Sequence, residues 1–179
     1  YSIYELWGFE DGLFEDIQAF LYLLGSLLAF IASIWAFKKK HPVHGILFTL
    51  LFLVSFLIGM EEISWGQRFY NLETTGIFQE HNVQGEINLH NINNIHDEIR
   101  YLYIALGIAG SIGWLVNLIP TIKKFKLLKE INYLPPYYLA TYFAPLLINL
   151  WDTWWAAPQD LEYIETLSSL GVLLYIINL

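Results

Sequence analysis

Residues 17–37, IQAFLYLLGSLLAFIASIWAF, run for twenty-one positions without a charged side chain. At about 1.5 Å of rise per residue, such a run spans the roughly 30 Å hydrocarbon layer of a bilayer as one helix. Comparable apolar stretches cover 42–60, 101–120, 135–155 and 161–179. Only 15% of the residues are charged and 56% are hydrophobic, where soluble domains carry about a quarter charged residues. The chain therefore reads as an all-α integral membrane protein, a bundle of about five transmembrane helices. Extended to their polar ends, these helices run over about 13–37, 42–66, 97–120, 135–156 and 160–179, with a long connection over about 61–98. The first run exceeds a typical signal-peptide core and a basic cluster follows it, so it reads as an anchor. With no cysteine in the chain, disulfides, thiolate metal ligands and cysteine nucleophiles are excluded.

Charge placement orients the bundle. Lys38, Lys39 and Lys40 fall between the first and second runs, and Lys123, Lys124, Lys126 and Lys129 between the third and fourth. All the lysines thus lie on one side, which the positive-inside rule assigns to the cytoplasm. The N-terminus is expected outside, the C-terminus inside, and the 61–98 loop on the periplasmic face of a bacterial inner membrane. The lysines sit in two short juxtamembrane loops that anionic lipid already explains, so nucleic acid is not an expected partner. A loop this long is usually functional or disordered. This one keeps Trp65, Phe69, Tyr70, Ile77, Phe78, Ile87 and Leu89, which favours a folded cap.

Small residues indicate where helices meet. Gly25, Ala29 and Ser33 recur at four-residue intervals, as do Ala105, Ala109 and Gly113. Such ridges permit close approach of helix backbones in membranes.

The chemistry is concentrated in GMEEISWGQRFYNLETTGIFQEHNVQGEINLHNINNIHDEIR. Glu61 and Glu62 follow the second apolar run directly, where an ionised carboxylate needs a polar interior or a partner. If the helix continues, Glu61, Ser64 and Arg68 share a face. A helical trace over 86–97 likewise aligns Glu86, His90, Asn93 and Asp97. Glu62, Glu86 and His90 are then candidate ligands for a divalent metal, with a hydrogen-bonded structural network as the alternative. Glu61 or Glu62 as general base with His90 as acid is the catalytic arrangement these residues allow. Glu15, Gln67, Arg68, Gln84, Glu86, Asn88 and Asn91 are the candidate binding residues, since carboxylates and amides suit headgroups and small polar solutes. Two flanking stretches could join this face: Glu10, Asp11, Glu15 and Asp16 at the outer end of the first helix, with Gln18 one turn below Glu15, and Asn149, Asp152, Asp160, Glu162 and Glu165 at the fourth-to-fifth junction.

The strings EDGLFE, EEISWGQR and NVQGEINLHN, in this order, resemble the shared motifs of an uncharacterised family of small bacterial integral membrane proteins. The resemblance covers residues 10–91 and marks Glu10, Glu15, Glu61, Glu62, Gln67, Gln84, Glu86, Asn88, His90 and Asn91 as motif positions. It implies the membrane setting and no particular reaction. Two functions follow as expectations. One is a periplasm-facing polar site that binds or processes a lipid headgroup, small solute or cation. The other is an accessory subunit of a membrane complex that docks through the loop.

Topology can be tested by labelling. Single-cysteine replacements of Glu73 and Gln159 are expected to react with an impermeant maleimide on intact cells. Replacements of Lys39 and Lys126 should react only after permeabilisation, and the opposite pattern would invert the orientation.

Overall fold

Two long helices grow from the first two apolar runs, α1 over Leu13–Lys38 and α2 over Pro42–Glu62. They belong to a computed structural model that describes residues 13–82, 84–119, 134–150 and 158–179. Segments 120–133 and 151–157, which hold the second lysine cluster and Trp151, Trp154 and Trp155, lie outside the described residues. Short helices α3 (Gln67–Tyr70) and α4 (Ile77–His81) follow α2 in the loop. Next come α5 (Asn93–Ser111), α6 (Ala140–Phe143) and α7 (Pro158–Asn178). Turns of 3-10 helix extend α5 over Gly113–Leu118 and flank α6 over Tyr137–Leu139 and Ala144–Leu150. Among the described residues the architecture is all-α, and β pairing is limited to an isolated bridge between Asn82 and Ile92.

The α1–α2 hairpin closes on local chemistry. Lys40 takes a left-handed φ of 61°, His41 N–H donates to Ala36 O at 3.0 Å, and Pro42 opens α2. Proline suits a first helical position because its N–H would have no partner there. Inside the hairpin, Ser33 Oγ bonds Gly45 O at 3.1 Å and Thr49 Oγ1 at 2.7 Å. α7 packs on α1, and α5 packs on α6 and the Ala144–Leu150 turn. The buried centre of that second half is Leu139, Phe143 and Leu146.

Both α1 and α2 are long and apolar enough to cross a membrane, with mean hydropathies of 2.1 and 2.3. Their polarity is inverted relative to a soluble protein. α1 buries Gln18, Gly25, Ser26, Ala29 and Ser33, while Phe20, Leu27, Phe30, Ile31 and Trp35 are exposed. α2 exposes Ile46, Leu50, Leu53, Val54 and Leu57. Small and polar groups meet inside and large apolar groups face outward, as expected where the solvent is lipid.

The first ridge lies where spacing suggests. A methyl group on Gly25 would meet Ile176 at 3.1 Å, and Ala29 and Ser33 are buried. The second ridge is displaced. Ala105 is exposed, while Gly107, Gly110 and Ser111 of α5 are buried. Gly107 abuts Leu146 and Leu147, and a side chain on Gly110 would overlap the Phe143 ring. The spacing of Ala105, Ala109 and Gly113 pointed to another face, and the position of Phe143 puts the Gly107–Gly110 face inside. The helix expected over 42–66 stops at Glu62, for a reason that belongs to the site.

Gly110→Leu is expected to destabilise the protein most, by about 1–3 kcal/mol or more, because overpacking displaces whole backbones. Gly113→Leu, which faces Leu134 at 3.2 Å, should follow, and Leu115→Ala at an exposed position should change least. Thermal melting in detergent reads this order, and equal melting of Gly110→Leu and Leu115→Ala would remove the contact assignment.

Candidate functional site

α2 ends because three consecutive residues turn left-handed: Ser64 at φ 46°, Trp65 at 55° and Gly66 at 82°. Only glycine adopts that region freely; Ser and Trp need compensation. Trp65 Nε1 donates to Glu61 Oε1 at 2.6 Å, and Ser64 Oγ donates to Glu86 Oε2. Glu61 and Glu62, about 100° apart in the last turn of α2, meet different environments because the break folds the loop back over Glu61. Glu61 turns to the loop. Glu62 turns to the bundle.

Glu61 is a clamp. Its Oε2 accepts the backbone N–H of Leu89 at 2.6 Å and of His90 at 3.2 Å, and it lies 3.5 Å from His90 Nδ1. Six residues on, Gln67 does the same for another stretch. Its Oε1 accepts Ile87 N–H at 2.6 Å, and its Nε2 reaches Leu72 O at 3.1 Å and Thr74 Oγ1 at 2.7 Å. The two strings EEISWGQR and NVQGEINLHN are thus stitched side chain to backbone.

Within the second string the amides bond one another. Asn82 Oδ1 accepts the backbone N–H of Gln84 at 2.9 Å and of Glu86 at 3.1 Å, forming an Asx turn around Gly85 at φ 73°. Asn82 Nδ2 donates to Asn88 Oδ1 at 2.8 Å. Asn88 Nδ2 donates to Glu86 Oε2 at 2.7 Å and to Ser64 Oγ at 2.9 Å. Asn91 Nδ2 donates to Gln84 Oε1. Asn88 and Asn91 are buried, so this knot forms the interior of the loop. Backbone over 84–92 is irregular and α5 starts at Asn93, so the helical stripe of Glu86, His90, Asn93 and Asp97 does not form.

The second cluster lies at the same end of the bundle. Glu62 is within electrostatic reach of Glu165, Glu162 and Glu15, which come from α7 and α1. Glu15, Gln18 and Tyr22 follow one another down a single stripe of α1, and Glu162, Glu165 and Ser168 lie along α7. Gln18 Nε2 donates to Glu162 Oε2 at 2.9 Å and to Glu162 O at 3.3 Å. Tyr103 of α5 lies beside Glu165, and Tyr22 lies beside Ser168. Four helices therefore bring carboxylates, an amide and phenols to one place.

The expected site residues divide between these two assemblies. Glu61, Gln67, Gln84, Glu86, Asn88, His90 and Asn91 belong to the loop knot. Glu15 and Glu62 belong to the bundle cluster. The Arg68 side chain lies outside the described residues. Among the described residues, no group of three or more His, Asp or Glu side chains is arranged to hold a metal ion, so Glu62, Glu86 and His90 do not assemble as a metal trio. Glu86 is engaged by Ser64 and Asn88, and His90 by Glu61. The cluster members that motif reading did not single out are Tyr22, Tyr103 and Ser168. Their signal was a polar stripe continuing Glu15–Gln18 and Glu162–Glu165 into apolar helices. No family model, curated protein or solved structure matches the chain.

Asn88→Ala removes three side-chain bonds from a buried position and is expected to cost about 1–3 kcal/mol. Hydrogen exchange at Leu89 and His90 should accelerate, while Glu80→Gln, at an exposed position, should leave it unchanged. Unchanged exchange in Asn88→Ala would separate the knot from loop order.

Proposed function

We propose that the chain is a multi-pass inner-membrane protein, crossing about five times with the N-terminus outside. On its periplasmic face the bundle cluster of Glu15, Glu62, Glu162 and Glu165 binds a cationic solute or headgroup, and the 61–98 loop caps it. The observation that carries this reading is the divergence of Glu61 and Glu62. A carboxylate that clamps three N–H donors and an imidazole has little freedom to act as a base, which favours binding over catalysis at Glu61 and His90. Glu62 instead shares its surroundings with like charges, and carboxylates gathered at a hydrocarbon edge call for a compensating cation. The outward apolar faces of α1 and α2 support the membrane setting. So does the resemblance in EDGLFE, EEISWGQR and NVQGEINLHN, which spans both assemblies.

A second reading rests on a separate feature. Phe69, Tyr70, Leu72 and Ile77 are exposed on the loop, an apolar patch suited to docking in a membrane complex. Alanine replacements of Phe69 and Tyr70 would release a partner from native membranes under that reading and leave cation binding intact.

Cation binding is tested by thermal melting of the purified protein at constant ionic strength across Na⁺, K⁺, Mg²⁺, Ca²⁺ and methylammonium. At 100 times Kd, a ligand is expected to add about 2.7 kcal/mol to the folded state. Glu62→Gln and Glu165→Gln should each weaken the apparent affinity about tenfold or more, and Glu80→Gln should not. A wild type that no cation stabilises would end the reading.

A further inference from the structure

Away from the carboxylate end, a groove opens between α2 and the end of α7. Leu47, Leu50, Leu51 and Val54 of α2 form one wall and Tyr175 and Leu179 the other, and the lining is almost wholly apolar. Its volume is about 210 Å³, more than the roughly 150 Å³ apolar cavity that admits a benzene ring. From Leu47 to Val54 it follows α2 for about 10 Å. Leu50 is 52% exposed and Val54 54%, so the groove is open on the outward face of α2.

A second helix fits this groove poorly. Helices in lipid approach one another through small residues, whereas these leucines and Val54 would hold a partner backbone away. A helix with its side chains is also about 10 Å across. A flexible acyl chain needs no close backbone approach and offers only methyl and methylene groups. The end of the groove nearest Pro42 supplies the other half of the match. His44, Leu47, Leu51 and Val54 follow one stripe of α2, which leads back to the turn carrying Lys38, Lys39 and Lys40, all exposed. Leu47 lies about 7 Å along the axis from Pro42. No Asp or Glu occurs from residue 17 to 60 or from 166 to 179, so neither wall opposes an anion. α2 also starts with no acidic residue in its first turn and no side-chain cap from His41, and a helix start favours negative charge. Lys39 Nζ lies over the exposed Trp35 ring at 5.5 Å, and tryptophan and lysine together suit the level of lipid headgroups.

We infer that one anionic phospholipid binds here, with an acyl chain in the groove and its phosphate against the Lys38–Lys40 turn and the start of α2. This rests on the membrane setting of the proposed function and is independent of cation binding at the other end of the bundle. Neither half suffices by itself. An apolar groove would accept a chain from any lipid, and lysines near a bilayer attract anionic lipid without fixing its place. Joined, they select charge and position together. The result is one lipid per chain, preferred over a zwitterionic one by about fivefold for each lysine engaged.

The test is lipid retention by the full chain in detergent micelles, counted by native mass spectrometry. Phosphatidylglycerol and phosphatidylcholine of identical acyl chains are the two probes. The wild type is expected to retain one phosphatidylglycerol at a concentration about tenfold or more below that needed for phosphatidylcholine. Lys38→Gln, Lys39→Gln and Lys40→Gln combined should erase that preference. Leu50→Trp with Val54→Trp, both at exposed positions, would fill the groove and should weaken both lipids about tenfold. Leu27→Trp, exposed on α1 and outside the groove, should change neither. Equal retention of the two lipids by the wild type would overturn the inference. So would phosphatidylglycerol binding that the Leu50→Trp, Val54→Trp double replacement leaves intact, since lysines alone would then account for it. If a variant misfolds, the comparison on the wild type decides. Resistance of the membrane-bound chain to a carbonate wash reads the setting separately. A chain that stays and shows no lipid preference keeps the membrane setting and loses the lipid site, and one that washes out loses both.

Discussion

The left-handed run Ser64–Trp65–Gly66 is the constraint on which the rest of the polar end depends. Glu61 and Glu62 both lie in the last turn of α2, about 100° apart around its axis, and a helix continued past them would have carried the chain away from both. The break instead gives one carboxylate to the loop and the other to the bundle. Two of its three residues carry side chains that disfavour this backbone, and both are tied down by carboxylates, Trp65 by Glu61 and Ser64 by Glu86. The turn and the network that holds it are therefore mutually dependent, as buried polar networks usually are.

Away from that end, the bundle is assembled by small residues rather than by apolar bulk. In lipid, large apolar side chains gain little by burying against one another, so helices associate where backbones come close and where a few hydroxyls bond across the gap. Gly25 against Ile176, Gly110 against Phe143 and Ser33 against Gly45 each follow that rule. Phe30, Trp35 and Leu53 lie on the outside, as that rule expects of helices long and apolar enough to cross a membrane. α5 and the residues around α6 form a second packing unit around Phe143, and α7 bridges it to α1.

The two polar assemblies differ in how completely they are satisfied. In the loop knot, Asn82, Asn88 and Gln67 use donor and acceptor ends alike, which fits a structural role. In the bundle cluster, carboxylates share a small region and the Gln18 oxygen is unmatched. Saturation marks the part that holds shape.

Much of this was legible from the residues alone. Unbroken apolar runs dictate helices, because hydrocarbon leaves no other partner for backbone groups. Gly25, Ala29 and Ser33 identified a contact face. The strings around Glu61 and Glu86 located the polar end. Their division of labour was not legible, since adjacent glutamates in a sequence carry no information about a backbone that turns left-handed two residues later. Nor did the spacing of Ala105, Ala109 and Gly113 reveal that Gly107 and Gly110 make the close contacts, because the position of Phe143, thirty-odd residues away, decides it. The sequence by itself determined helices, apolar outer faces and a carboxylate-rich end, which are consequences of local composition and solvent. Tertiary structure alone decided which carboxylates meet, since Glu15, Glu62, Glu162 and Glu165 come from three helices whose alignment depends on packing across the whole bundle.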